Sequence, residues 1–203
     1  MIGNDIVDTA QAKRESNWQR RGFLEKLFTT HEQGLILSAS NPERLVWTLW
    51  SMKESAYKVS VRETGKRAFA PKKLICSITS LSEETVEGTV FYQKAYQTKS
   101  SISPQHIATV AILANTELTF HQEIIQFSNS TYQHQNARIQ EDIQQYCVDY
   151  LAIPPANSYL QKDQNGIPAL LVIKPSGEQL SIPISISHHG HYGSFVIDCT
   201  HRL

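Results

Sequence analysis

Glu54 and Lys58, in the stretch WSMKESAYK that runs from Trp50 to Lys58, form the first pairing in this sequence that could do chemistry. They are four residues apart, so on a helix they are neighbours on one face. Such a pair reads in two ways. One is an exposed ion pair, worth about a few tenths of a kcal/mol. The other is a carboxylate and an ammonium aimed at a metal and a phosphate. Lys53 diverges around the helix but is expected to reach the same rim. Asp5 favours the second reading. It sits in IGNDIVD, residues 2–8, a β-branched stretch that reads as a strand, where Asp and Asn are depleted. Alternation puts Asp5 on a face with Gly3 and Val7, while Ile2 and Ile6 turn to the core. A carboxylate on a strand and another on a helix that crosses it suit a hard cation such as Mg²⁺. That ion takes few protein carboxylates and completes its shell with phosphate oxygens and water. Nearby lysines would neutralise phosphate charge.

The elements that must hold these residues follow from periodicity. Leu45, Leu49, Met52, Ala56 and Val59 recur at spacings of four and three. They predict one helix from Pro42 to near Gly65, with the motif on it. Ahead of it, residues 12–28 read as a helix, and Thr29-x-x-Glu32 is a capping-box spacing that opens a short helix through Leu37. From 73 to 113 the pattern turns to strands: KLICSIT, TVEGTVFYQKAY and HIATVAIL. TELTFHQEIIQF is another. Residues 133–152 predict a helix with Ile139, Ile143, Tyr146, Cys147 and Tyr150 on one side, stopped by Pro154 and Pro155. YLQKD, PALLVIK and ISISHHGHYGSFVID then read as strands. The order predicts an α+β chain of two similar halves, 1–115 with the acids and 116–203 with the SISH segment. SPQHIATVAIL at the end of the first echoes SISHHGHYGSFVI at the end of the second, and His106 is the expected counterpart of His188.

Composition narrows the classes. In 203 residues, Lys+Arg and Asp+Glu are both 19, so no global basic field marks a nucleic-acid binder. Cys76, Cys147 and Cys199 lie far apart with no CxxC, which points away from a zinc knuckle or disulfide framework and towards a reducing, cytoplasmic setting. Asp5 and Asp8 stand where a signal peptide would need a basic start, and no apolar run approaches the ~20 residues of a membrane span.

IGNDIVD followed by WSMKESAYK resembles the two signature motifs of the 4′-phosphopantetheinyl transferases. LFTTHEQGLI resembles that family's FT-x-x-E helix start, NGIPALL its GKP segment, and SISHHGHYGSFVI its SISH-x-x-x-Y strand. The four patches span most of the chain. The resemblance implies a pseudo-dimer that moves 4′-phosphopantetheine from coenzyme A to a serine of an acyl or peptidyl carrier protein, releasing 3′,5′-ADP. It implies Asp5 and Glu54 as Mg²⁺ ligands, and Lys58 as the contact to the phosphate and leaving group. Lys53, Ser187 and His188 are implied as contacts to the coenzyme A phosphates, and Trp50 as part of the site's wall. One chain would then be a complete enzyme, a monomer rather than a trimer. A second reading, of another class, is a non-catalytic carrier- or nucleotide-binding protein that kept the fold.

The chain departs from the family pattern in three places. Val7 stands where larger members often have a second acid; Asp8, one residue on, points to the opposite face of a strand from Asp5. Ile167 replaces the GKP lysine. The motif order is that of the small synthases, whereas the length suits the large form with its halves exchanged. Two further clusters carry charge or imidazole. His188, His189 and His191 lack a nearby carboxylate or cysteine in sequence, so phosphate donation by His188 is favoured over a metal site. The basic runs Arg62, Lys66, Arg67, Lys72, Lys73 and Lys13, Arg14, Arg20, Arg21 read as solvated surface or as contacts for a phosphate or an acidic carrier.

Overall fold

The computed structural model describes residues 1–174 and 176–200. In chain order it contains β1 (Ile2–Asp8), α1 (Thr9–Glu15), α2 (Phe23–Leu27), α3 (Thr30–Ser38), α4 (Pro42–Thr64), β2 (Ile75–Leu81), β3 (Thr85–Tyr92), β4 (Lys94–Ile102) and β5 (His106–Leu113). Then come β6 (Phe120–Gln126), α5 (Tyr132–Leu151), β7 (Ser158–Lys162), β8 (Pro168–Ile173), β9 (Gln179–His189) and β10 (Tyr192–Asp198). The strands form two antiparallel sheets of the same order, β1-β5-β4-β3-β2 and β6-β10-β9-β8-β7. Each sheet carries its long helix between its first and second strands in sequence. The class is α+β, two like halves, as the element order implies.

α4 follows the sequence signals closely. Asn41 caps it through a bond from Arg44 N, Pro42 opens it, and Gly65 at φ 68° closes it. Leu49, Met52, Ala56 and Val59 are fully buried against the first sheet. α3 begins with the expected capping box between Thr29 and Glu32. The single helix expected over 12–28 is instead two short ones. Asp8 starts the first, which ends at Ser16, and Gly22 at φ 82° sets the chain for the second. TVEGTVFYQKAY is a hairpin that turns at Gln93 (φ 63°), not one strand. Tyr150, expected on the buried side of α5, is mostly exposed, whereas Ile139, Ile143, Tyr146 and Cys147 form the second core.

The halves meet through β1, which lies across β9 and β10. One face of β1 meets α4 and the other meets the second sheet. Gly3 permits the first contact: a Cβ there would stand 2.3 Å from Ser55 O. Ile2 packs on the second face with Val110 and Val196, which occupy matching places on β5 and β10. Register shows the match. Asp8 pairs with His106 at the start of β5, and Gln126 pairs with Tyr192 at the start of β10. His106 is therefore the counterpart of Tyr192, not of His188; the two rings meet at a tilt, their centroids 4.9 Å apart.

Candidate active site

The acids and the motif lysine converge where β1 crosses α4. Asp5 and Glu54 both line an open cleft of about 320 Å³, together with Trp47, Trp50, Phe23, His188 and His189. Lys58 Nζ donates to the carbonyl of Asn4 at 2.7 Å and stands 3.7 Å from Asp5 Oδ1. The Glu54–Lys58 ion pair that the i, i+4 spacing suggests does not form. The ammonium turns to the strand because a backbone carbonyl and a carboxylate are both within its reach there.

Electrostatics follow from this crowding. Burial raises Asp5 above its ordinary value against the pull of Lys58. Burial, and then the Asp5 charge, push Glu54 up to about 7, with Lys58 opposing. Two half-buried carboxylates that repel one another form a donor set with an unmet demand for positive charge. Both are hard oxygen donors, and among the described residues no group of three His, Cys, Asp or Glu forms a metal cage. An oxygen-only donor pair suits a hard ion such as Mg²⁺, which binds through few protein carboxylates.

Lys53 is not at this site. Its ammonium has no exposure and sits 2.8 Å from Glu32 Oε2. It also donates to Pro71 O and Leu74 O, and it lies over the Phe28 ring. Glu32 in turn accepts from Thr29 N and Cys76 N. The expectation that Lys53 reaches the coenzyme A phosphates is corrected on this ground: the position adjacent to Glu54 on a helix points into the protein, not to the same rim. Lys53 ties α3, α4 and the start of β2 together.

Ser187 and His188 divide. His188 is exposed and lines the acid cleft, its imidazole held below its ordinary value by burial and then by Lys58 and His189. Ser187 is only 7% exposed, and its Oγ accepts a bond from Asn4 Nδ2. His189 accepts from Asp8 N at Nδ1, which places the proton of the neutral ring on Nε2, facing Glu15. Asp8 is buried and occupied as a helix cap, accepting from Gln11 N and His191 N, so it stands apart from the acid pair. His189 and His191 brace the β9–β10 hairpin against the end of β1.

On the far side of Lys58, a second cavity of about 250 Å³ opens between the halves. It is lined by Tyr57, Arg62, Arg67, Gly166, Ile167 and Ser185 among others. Arg62 bonds the carbonyls of Pro168 and Ile184, and Arg67 bonds that of Asn165. Burial lowers Arg62 to about 10. Neither guanidinium has a carboxylate partner among the described residues. Ile167, which stands where the resemblance calls for lysine, thus lies beside arginines supplied by the other half.

A carboxylate pair, a lysine and an arginine-lined cavity thus lie together at the junction of the halves. The family model described as ACPS, 4′-phosphopantetheinyl transferase superfamily, matches residues 1–151. The chain belongs to that superfamily of transferases. The match spans the first sheet, β6 and α5, and stops before β9, which carries Ser187 and His188. No curated protein matches the chain.

The sequence reading missed Asn4, and it read Glu32 only as a cap. A polar residue between two isoleucines on the interface face of a strand was the available signal for the first. Nothing local signalled the Glu32–Lys53 pairing across 21 residues.

Proposed function

We propose that the protein transfers the 4′-phosphopantetheinyl group of coenzyme A to a serine of an acyl or peptidyl carrier protein and releases 3′,5′-ADP. One observation carries this reading: Asp5 and Glu54 share a cleft, and Lys58 stands between that cleft and the arginine-lined cavity. The adenosine end of coenzyme A with its phosphates would enter the second cavity, near Arg62, Arg67 and Ser185. Asp5 and Glu54 would hold Mg²⁺, which when bound supplies charge neutralisation at the pyrophosphate. Glu54, held near neutrality, suits removal of the proton from the incoming serine. Lys58 would face the bridging oxygen, where charge grows as the phosphorus–oxygen bond breaks. His188 would donate to phosphate oxygens from the other side of the cleft. Trp50 and Phe69, in edge contact at 5.5 Å, would form the apolar wall beside Glu54.

The exposed Lys13, Arg14, Arg20 and Arg21 lie on and after α1, whose Ala12 and Glu15 line the acid cleft, and would steer an acidic carrier to the site. With the acids on one sheet and His188 on the other, a single chain would suffice as a monomer. No described helix is long and apolar enough to cross a membrane, and the proposed setting is the cytoplasm, where coenzyme A and carriers would be met. The test is to incubate the protein with coenzyme A, Mg²⁺ and a panel of apo-carriers and to weigh the carriers. A gain of one phosphopantetheinyl group supports the reading. No gain on any carrier, with coenzyme A still bound, leaves the non-catalytic alternative standing in its place.

A further inference from the structure

Asn4 lies on the face that β1 turns to the second half, between Ile2 and Ile6, and it has no exposure. Its side-chain amide and its backbone N–H both bond across to the second half. Its backbone N–H donates to Ser185 Oγ at 3.0 Å. Its Nδ2 donates to Ser187 Oγ at 3.0 Å and to the Ser194 carbonyl at 3.1 Å. Its own carbonyl receives Lys58.

The direction of these bonds is fixed. A side-chain amide can be turned over, exchanging its oxygen and nitrogen. Here the Ser194 carbonyl can only accept, so the nitrogen must face it, and the turned form would set two acceptors against each other. Asn4 Oδ1 is left buried with no partner among the described residues, a cost that this orientation carries. Each serine hydroxyl has one hydrogen and two lone pairs. Ser185 and Ser187 both accept from Asn4, and neither hydroxyl donates to a protein acceptor among the described residues. Ser185 lines the arginine-lined cavity.

We propose that Asn4 is a positioning residue: by occupying the acceptor side of Ser185 and Ser187, it leaves both hydroxyl hydrogens to donate to an anionic ligand in the cleft beside Lys58. The inference rests on the reading of that cleft as the coenzyme A site. It adds Ser185 to the ligand contacts and gives a chemical reason for an amide between two isoleucines. Asp at this position would invert the pattern, because a carboxylate accepts from Ser187 and consumes the hydrogen. Leu would fit the isoleucine face but remove the donor.

The test is coenzyme A binding by titration calorimetry, without carrier or turnover, on chains shown to be folded by circular dichroism. Asn4→Leu and Asn4→Asp are each expected to weaken binding about tenfold. Ser187→Ala is expected to weaken it comparably, and Asn4→Leu with Ser187→Ala together no more than either alone, because one acts through the other. A purely structural role for Asn4 would give additive losses. Ser185→Ala and Ser187→Ala leave β1 untouched and decide the matter if the Asn4 variants do not fold. Unchanged affinity in both serine variants, additive losses, or no binding by the wild-type chain would each overturn the inference. Normal coupling in binding with no carrier modified would instead sink the transferase reading and leave this one intact.

Discussion

Lys53 Nζ lies 2.8 Å from Glu32 Oε2 with neither side chain exposed, so the lysine next to Glu54 belongs to a buried structural pair. Every hydrogen of the ammonium has an oxygen: Glu32, Pro71 O and Leu74 O. Removing one partner of a buried pair leaves the other uncompensated, which costs about 3–5 kcal/mol. Lys53→Met should lower urea stability by that order while the folded fraction binds coenzyme A with unchanged affinity. A stable variant with much weakened coenzyme A binding would return Lys53 to the site.

Glu54→Gln should abolish transfer and leave the fold intact. Its effect on stability has a sign that can be worked out. Glu54 is raised from 4.5 to about 7 in the folded chain, so between those values the folded state holds a proton that the unfolded state has lost. This group's contribution to stability therefore falls as pH rises through that window. In EDTA, the Tm of Glu54→Gln relative to wild type should be higher at pH 8 than at pH 5, by a few degrees, about 2–4 °C for each kcal/mol. A Tm difference that is flat with pH would contradict the burial of this carboxyl.

Lys58→Met should lower kcat for transfer about a hundredfold, the scale of losing one donor to a developing charge. Lys58 lowers both Asp5 and Glu54, so its loss lets burial raise them further. The acid limb of the pH–rate profile should move to higher pH. An unmoved limb in the variant would show that Glu54 does not feel this ammonium.

Arg67→Ala should raise the KM for coenzyme A about threefold to tenfold with kcat unchanged, the signature of binding lost equally in ground and transition states. Higher salt should narrow the gap from wild type. A kcat effect alone would place Arg67 elsewhere in the cycle.

Gly3→Ala tests the crossing itself. The added Cβ would meet Ser55 O at 2.3 Å and Val59 Cγ2 at 2.9 Å, so strand and helix must part. A stability loss of about 1–3 kcal/mol is expected, with transfer reduced further because Asp5 and Glu54 move apart. Thermal melts and carrier mass gain measure the two. Full activity at unchanged Tm would show that β1 and α4 need not approach this closely.

The parts whose signal is local are legible in the chain alone. Periodicity and caps placed α4 from Pro42 to Gly65, and the capping box opened α3, because those patterns depend on neighbours three and four residues away. The two-half architecture was legible from the order of strand and helix patterns, and the acids from their type in unlikely places. What depends on distant neighbours was decided only by tertiary structure. Spacing leaves Lys53 free to reach the rim of the site, because it cannot tell which side of a helix faces a buried glutamate. Lys58 pairs with Asp5 instead of Glu54 because β1 crosses above it. His106 proved the counterpart of Tyr192 because register, not residue type, sets equivalence between sheets. Asn4 acquired its place because β1 is sandwiched between α4 and the second sheet, so one strand face carries the acid and the other joins the halves.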